Sequence, residues 1–332
     1  MTNDDSVVST MKAAGLDGDF LPWRDVLHQG PVPAGLSPGD LRRARADFLA
    51  QSGRDWFFGA LAYFTARDRA LVAADDVLLW FESDLYDQLQ LIQIFDLLHD
   101  GRGRRRLICI GSFPGYPGFV GLGQLTPDEL ATLVGTEHDL TDEEVLLGRR
   151  AWEAFRSPDP TAIEELLSGD ISALPYLPYA LVRHLEEFPS AEDGLSRTER
   201  AILELTAGGT RTWTRLFGEA AEREERPYLD DLTFREHLVR LLTAPHPLLA
   251  ARDGAFLELT MRLRAGRAAN QEMWPAAAAD ELTPTAEGEA VLAGEADAVE
   301  LNGVDRWYGG VHLEGSEPAW RWNRHDRRLV AQ

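Results

Sequence analysis

The segment Asp75–Asp100, which reads DDVLLWFESDLYDQLQLIQIFDLLHD, decides the fold of this chain. Val77 to Phe81 form an uninterrupted apolar run, a pattern typical of a strand covered on both faces, as in a parallel sheet. Beyond Asp84 the apolar residues recur with a helical period and fill a wide arc of the helix. The segment therefore predicts a buried strand, a short acidic turn and a long helix that packs back onto the strand.

The predicted helix also carries polar residues that place it relative to the turn. One polar stripe follows steps of three along a single face, and its members are Asp87, Gln90, Gln93 and Asp96. Ser83 or Asp84 can cap the first turn by accepting from free backbone N–H groups. Gln88 breaks the pattern, because it lies one turn after Asp84 on the side expected to be buried. We expect Glu82, Asp84 and Gln88 to converge at the carboxyl end of the strand, where ligands usually bind in parallel α/β sheets.

The order of predicted elements divides the chain into an α/β part at 1–135 and a mostly helical part at 136–332. A short strand is predicted at Phe20–Trp23, and RLICIG at 106–111 predicts the next buried strand. The Gly- and Pro-rich segment 112–125 predicts an ordered loop, and ordered loops of this length are commonly functional.

Helical signals dominate the second part. Capping boxes begin predicted helices at Thr126, Thr141 and Ser196. Three helices, predicted at 196–206, 211–225 and 230–243, precede PLLAARDGAFLELT, an order that resembles three helices followed by a β wing. The aromatic, alternating tail predicts short strands and a terminal hairpin.

Composition restricts the classes of function. The formal net charge is −22, which opposes binding to the phosphates of nucleic acids. No apolar run approaches the ~20 residues of a membrane span. The polar start MTNDDSVVST does not resemble a signal peptide, so we expect a cytoplasmic protein without membrane contact. The single cysteine, Cys109, lies in an apolar run and is interpreted as a buried structural thiol.

Several stretches together resemble a bacterial family described only as a domain of unknown function. They are LPWRDVLHQGPVP, WFESDLYDQLQL, the FPG…GLGQLTP loop and LNGVDRWYGGVHL, which are spread over most of the chain. The resemblance implies a Rossmann-like amino-terminal half and a winged-helix-like remainder, and it implies no reaction. In the family pattern a histidine precedes the aspartate of the WFExDLYD motif, where this chain has Ser83. The family also begins with an apolar strand, whereas only Met1 and Thr2 precede the NDDS turn here, so we expect a lost first strand or a late start.

If the sheet is doubly wound, three turns meet at its carboxyl edge. They are Asp4–Ser6, Trp23–Asp25 with the nearby His28, and Glu82–Asp84. The predicted catalytic residues are Asp25, His28, Glu82 and Asp84, with His28 or a carboxylate as general base. The predicted substrate-binding residues are Asp5, Ser6, Arg24, Gln88, Asp305 and Arg306, among which Arg24 and helix N–H groups would hold an anion. No metal is assigned, but Glu82, Asp84 and Asp87 provide an alternative set of oxygen ligands for Mg²⁺.

Each residue also has a purely structural explanation. Asp5 and Ser6 are good helix caps, and Asp25 and His28 would stabilise a proline-rich turn. Arg24 would pair with Asp25 or Glu82. The set Asn302, Asp305, Arg306 and Trp307 would lie in a Gly-rich turn announced by Asn302-Gly303. The functional alternative is that this turn folds over the pocket and contributes Asp305 and Arg306.

Two functional classes follow. In the first, the protein is a hydrolase or transferase that acts on a polar, anionic small molecule. In the second, it is a non-catalytic regulator or adaptor whose winged-helix half binds a protein partner or, less favoured because of the acidic helices, DNA. No cofactor is identified, because GSFPGYPGFVGLG lacks the spacings of dinucleotide and P-loop motifs.

Overall fold

The computed structural model describes residues 1–51, 59–99 and 103–332. The chain forms two compact units. The first comprises residues 1–44, 59–183 and 309–311, and the second comprises 184–308 and 312–332 with a segment that begins at Arg45. The sequence predicts two domains that divide at 135/136. The compact units do not test whether these domains are independent, so this division stays a prediction.

The fold is mixed α/β. The helices are α1 (Asp5–Ala13), α2 (Pro38–Gln51), α3 (Ala60–Ala73), α4 (Leu85–Leu98), α5 (Pro127–Ala131), α6 (Asp142–Phe155), α7 (Thr161–Ser168), α8 (Leu177–Leu185), α9 (Arg197–Ala207), α10 (Trp213–Glu222), α11 (Asp231–Thr243), α12 (Ala255–Arg264), α13 (Met273–Ala279), α14 (Ala286–Leu292) and α15 (Ala298–Asn302). The strands are β1 (Asp76–Glu82), β2 (Arg104–Ile110), β3 (His138–Asp139), β4 (Leu249–Ala251), β5 (Leu282–Pro284), β6 (Val304–Tyr308), β7 (Val311–Gly315), β8 (Trp320–Asn323) and β9 (Arg328–Ala331). Among the described helices, none is both long and apolar enough to cross a membrane.

A three-stranded mixed sheet forms the centre of the first unit. β1 and β2 are parallel, with Glu82 opposite Ile110, and β3 adds an antiparallel edge. Thr2 makes parallel bridges to both Pro22 and Trp80. The predicted strand Phe20–Trp23 is therefore reduced to a bridge at Pro22, because its neighbours do not continue the ladder.

The predicted burial of β1 on both faces is confirmed. Trp80 packs with Val7 of α1 and Leu130 of α5 on one side of the sheet. Leu79 and Phe81 point to the opposite side, since successive side chains of a strand alternate, and both are fully buried. The acidic turn thus follows a strand whose position is fixed from both sides.

Three members of the polar stripe of α4, Asp87, Gln90 and Gln93, are buried, whereas Asp96 is half-buried. Gln90 donates to the carbonyl of Asp25 at 3.0 Å, and Gln93 accepts from the indole of Trp23 at 2.8 Å. Buried polar groups require such partners. The stripe therefore attaches α4 to the loop that follows Pro22, which helical periodicity alone does not reveal.

The predicted capping boxes at Thr126, Thr141 and Ser196 are all present. The second unit contains the predicted helices as α9, α10 and α11, and the tail forms the predicted terminal hairpin from β8 and β9. The β wing expected over PLLAARDGAFLELT is present only in part. Only Leu249–Ala251 is a strand, and it pairs with the distant β5, whereas AFLELT lies in α12 because Gly254 starts a helix there.

Candidate functional site

Three carboxylates converge where β1 ends and α4 begins. Glu82 and Asp84 come from the predicted turn, and Asp87 comes from the first turn of α4. One oxygen from each lies within 4.8 Å of the other two, and all three residues are buried. We call these three residues the acidic cluster. The expected convergence of Glu82 and Asp84 is thus observed, with Asp87 as the third member.

Hydrogen bonds to the backbone hold the acidic cluster in place. Asp84 caps α4 by accepting from the Asp87 N–H at 3.1 Å. Asp87 accepts from the Glu82 N–H at 2.6 Å and from the Asn3 side-chain amide at 2.9 Å. The turn between β1 and α4 is therefore held by its own carboxylates. Their oxygens accept from backbone N–H groups that have no backbone acceptor in the turn.

The long Gly-rich loop completes this site. The Leu122 N–H donates to Glu82 Oε1 at 2.7 Å. A Cβ on Gly121 would lie 2.3 Å from Glu82 Oε2, so only glycine allows the loop to approach this closely. Gln88, predicted to line the site, donates to the carbonyl of Glu82 at 2.7 Å. It also lies 3.5 Å from the sulfur of the half-buried Cys109 in β2. Gln88 therefore positions the end of β1.

Burial and mutual repulsion raise the proton affinity of the acidic cluster. Burial, followed by the charges of Asp84 and Asp4, raises the pKa of Glu82 to about 8, against the opposing effect of the Leu122 N–H. Burial also raises the pKa of Asp87 well above its usual value, and the charge of Glu82 adds to the effect. Close carboxylates in a dry site retain protons or bind a cation, since they cannot all stay ionised alone. Carboxylate oxygens are the ligand type that Mg²⁺ and Mn²⁺ prefer.

The amino-terminal turn lies beside the acidic cluster, as predicted, but its roles differ. Asp4, rather than Asp5 or Ser6, caps α1 by accepting from the Ser6 N–H at 2.7 Å. Asp5 instead binds Arg24 at 2.5 Å, so the partner of Arg24 is neither Asp25 nor Glu82. Arg24 also stacks on the ring of Tyr63 at 4.8 Å. The pair joins the turn at Asp4–Ser6 to the loop that contains Arg24.

Asp25 and His28 lie in the loop beyond Arg24. Asp25 is buried, and its charge acts on the buried guanidinium of Arg67. His28 packs edge-on against Tyr86 of α4 at 6.0 Å between ring centroids. This contact brings His28 to the first turn of α4, the turn that also carries Asp87 of the acidic cluster. The catalytic roles assigned to both residues stay predictions.

Asp305 and Arg306 belong to the second unit. The predicted Gly-rich turn was wrong for both, because they lie in β6, whereas Asn302 ends α15 and its side chain binds the backbone of His246. Arg306 binds the buried Glu199. Asp305 lies 2.8 Å from the His312 ring, and the two form a second group of candidate metal ligands with Glu314.

Two contributors to the site escaped the predicted residue set. Asn3 was considered only as part of a turn, and Asp87 only as a metal ligand in the alternative. The spacing of Asp84 and Asp87 was the available signal, since residues three apart on a helix lie on one face. Nothing local in the sequence indicates the Leu122 N–H. Comparison with known proteins adds no further assignment: no protein-family model and no curated protein matches this chain.

Proposed function

We propose that the first unit is a Rossmann-like domain and that the protein is a hydrolase or transferase of a polar, anionic small molecule. The reaction would take place at the carboxyl end of β1, with a divalent cation held by the acidic cluster. The observation that carries the proposal is the convergence of three buried carboxylates, with oxygens within 4.8 Å, at this end of a parallel strand pair. In parallel α/β sheets ligands bind at this edge.

The chemistry follows from the residues present. Glu82, Asp84 and Asp87 supply the oxygen ligands, and the protons on the cluster leave when the cation binds. A bound divalent cation would polarise a phosphoryl or carbonyl oxygen of the substrate. Without it, three buried carboxylates would repel an anion, so the cation also determines the charge of the substrate that the site accepts.

Arg24 and His28 are the side chains proposed to face the substrate. The Arg24–Asp5 ion pair is partly exposed, and such pairs contribute only about 0–1 kcal/mol to stability. A substrate anion can therefore replace Asp5 on the guanidinium at little cost. His28, at the first turn of α4, is the proposed general base.

A second candidate is the non-catalytic regulator or adaptor. Its support is the succession of α9, α10 and α11 before the two-stranded β4–β5 sheet, an arrangement that we relate to winged-helix domains. The net charge of −22 favours a protein partner over DNA for this unit.

A thermal-shift screen tests the proposed enzyme. The wild-type protein, Glu82→Gln and Asp25→Asn are heated with Mg²⁺, Mn²⁺ or Ca²⁺, each with and without nucleotides and phosphorylated or carboxylated metabolites. We expect a cation to raise the midpoint of the wild type and a metabolite to add to it, because a ligand of the folded state stabilises it. Glu82→Gln should lose the cation effect, and Asp25→Asn, which changes the loop that carries Arg24 and His28, should lose the additional metabolite effect. A wild type that responds to no cation would refute the proposal.

A further inference from the structure

The second unit contains a cavity of ≈ 240 Å³. Its polar end is formed by Glu199, Arg240, Arg306 and Tyr308. Its apolar walls include Leu195, Leu241, Leu248 and Val299. The cavity is smaller than the roughly 300–1,000 Å³ of drug-sized pockets, so it suits a small metabolite. All of these residues lie within the second unit.

The ionised groups at the polar end do not cancel. Arg306 binds Glu199, whereas the Arg240 Nε lies 3.6 Å from the same carboxylate oxygen, beyond hydrogen-bond distance. Burial acts to raise the pKa of Glu199, but the charges of Arg306 and Arg240 outweigh it and lower the value. Glu199 is therefore ionised at neutral pH, and the three groups sum to one positive charge.

Further charged groups surround these three residues, and among them Glu187 acts on Arg306 and Glu236 acts on Arg240. Asp305, also on the cavity wall, has a side chain that is 82% exposed and is paired with His312. On α11, His237 lies 4.0 Å from Glu199. Exposed charges are screened by water, whereas the buried ones act in a drier environment. Arg240 and Arg306 are the cationic side chains that line the cavity.

Tyr308 provides the second, independent observation. The residue is 5% exposed, and among the described residues its hydroxyl has no hydrogen-bond partner. The ring is fixed by stacking on Phe188 at 4.4 Å, so the hydroxyl cannot turn away toward water. A buried hydroxyl without a partner is costly, which favours a ligand that accepts its proton. The Arg240 Nε also lacks a partner within the described parts of the chain.

We propose that this cavity binds a small organic monoanion, a carboxylate with a short apolar remainder. The carboxylate accepts from Arg240, Arg306 and the Tyr308 hydroxyl, and the remainder lies on Leu241, Leu248 and Val299. Two guanidinium groups match the planar oxygens of a carboxylate. The carboxylates of Glu199, Glu187 and Glu236 act on the same two arginines, so they favour a monoanion over a phosphate dianion. The site is separate from the acidic cluster and does not depend on the proposed enzyme activity.

Calorimetric titration of the full chain tests this site. The probes are butyrate, hexanoate, benzoate and phenylacetate, and the control ligands are inorganic phosphate and hexanamide. We expect at least one carboxylate to bind with a Kd below about 1 mM, and both control ligands to bind more weakly. Tyr308→Phe removes only the unpartnered hydroxyl and should raise the Kd about tenfold or more with no loss of stability.

Arg240→Gln and a matched control complete the experiment. Arg240→Gln should raise the Kd by at least the same factor, because it removes a guanidinium charge and the unpartnered Nε from the cavity. Arg215→Gln removes an exposed arginine that is also paired with a glutamate, and its Kd should equal that of the wild type. The proposal is overturned if no carboxylate binds at millimolar concentration, if phosphate binds more tightly, or if Tyr308→Phe leaves the Kd unchanged. Tyr308→Phe decides the matter even if Arg240→Gln does not fold.

Discussion

Glu82 and Glu199 are two glutamates buried to a similar degree, at 7% and 4% exposure, with opposite acid–base behaviour. Glu82 ends a strand among other carboxylates, and burial together with Asp84 raises its pKa to about 8. Glu199 lies beside Arg306 and Arg240, whose charges outweigh the effect of burial and lower its pKa. The environment around each carboxylate therefore decides whether it stores a proton or holds cations in place.

Because of this difference, the two regions suit ligands of opposite charge. The acidic cluster lacks a compensating cation among the groups that most affect its pKa, so it is arranged to receive one. The Glu199 region contains two guanidinium groups and, among the described residues, two donors without a partner, the Tyr308 hydroxyl and the Arg240 Nε, so it is arranged to receive an anion. Net charge alone, which is −22 for the whole chain, would have concealed the second possibility.

The largest expected effect is the loss of stability in Glu199→Gln. The substitution leaves Arg306 and Arg240 without their shared carboxylate and weakens the cap of α9, since Glu199 also accepts from the Ser196 N–H at 3.2 Å. Because both arginines are partly exposed, we expect a loss of about 2–4 kcal/mol, near or below the full cost of breaking a buried pair. Urea unfolding at pH 7 measures it.

Glu204→Gln is the matched control for this change. Glu204 lies on the same helix, pairs with Arg200 and Arg223, and has an exposed side chain. Its substitution should change the free energy of unfolding by less than about 1 kcal/mol. Equal effects of the two substitutions would show that Glu199 does not hold the arginines.

In the absence of divalent cations, Glu82→Gln should gain stability relative to the wild type as the pH rises, in contrast to the loss expected for Glu199→Gln. The pKa of Glu82 is about 8 in the folded protein and near 4.5 when unfolded, so the folded state binds the extra proton between these values. This contribution to stability is complete below about pH 4.5 and is lost as the pH rises through about 8. Relative to Glu82→Gln, the wild type should therefore lose roughly 1–3 kcal/mol between pH 5 and pH 8.

Unfolding curves in EDTA at a series of pH values measure this difference. Gln can still accept from the Leu122 N–H, so the loop contact is retained in the variant. Glu143→Gln, an exposed glutamate in α6, serves as the control and should run parallel to the wild type. Parallel curves for Glu82→Gln and the wild type would contradict the raised pKa.

Gly121→Ala should weaken cation binding by about tenfold, equivalent to roughly 1.4 kcal/mol. Its Cβ would lie 2.3 Å from Glu82 Oε2, so the carboxylate or the loop must move. Gly123→Ala is the matched control in the same loop, because its Cβ would lie 3.6 Å from Ser6 Oγ, an ordinary contact. Calorimetric titration with Mn²⁺ compares the two. Similar affinities would show that the loop does not position Glu82.

Arg24→Gln has the smallest expected effect on stability. Its pair with Asp5 is partly exposed, so unfolding should change by less than about 1 kcal/mol. The hydrogen bond that Arg24 donates to Asp5 raises the pKa of Arg24, and its guanidinium is charged when it meets a substrate anion. The variant should bind Mn²⁺ normally but lose the additional thermal shift given by an anionic metabolite. A metabolite shift that survives the substitution would remove Arg24 from the site.

The sequence predicts those parts of the site that are formed by residues close together in the chain. The apolar run of β1 and the helical period of α4 place Glu82 and Asp84 at one strand end, and Ser196 and Glu199 are recognisable as a capping box. The further role of Glu199 is not visible locally, because Arg306 is 107 residues away in the chain. The buried polar stripe of α4 is missed for the same reason, since its partners come from a distant loop.

The error at Gly254 has a different origin. The apolar residues of AFLELT fit a strand and a short helix equally well, and Gly254 in a left-handed conformation starts the helix. Burial against α11 then selects the helix, and no pattern within six residues contains that information.

The most direct test of the acidic cluster is the number of protons released when a divalent cation binds. Mn²⁺ is titrated calorimetrically at pH 7 into wild type and Glu82→Gln, each in two buffers with different ionisation enthalpies. The raised pKa values of Glu82 and Asp87 predict one saturable site in the wild type and release of about one proton or more per ion. Glu82→Gln should bind more weakly and release fewer protons. Absence of saturable binding, or identical proton release in both proteins, would contradict the account.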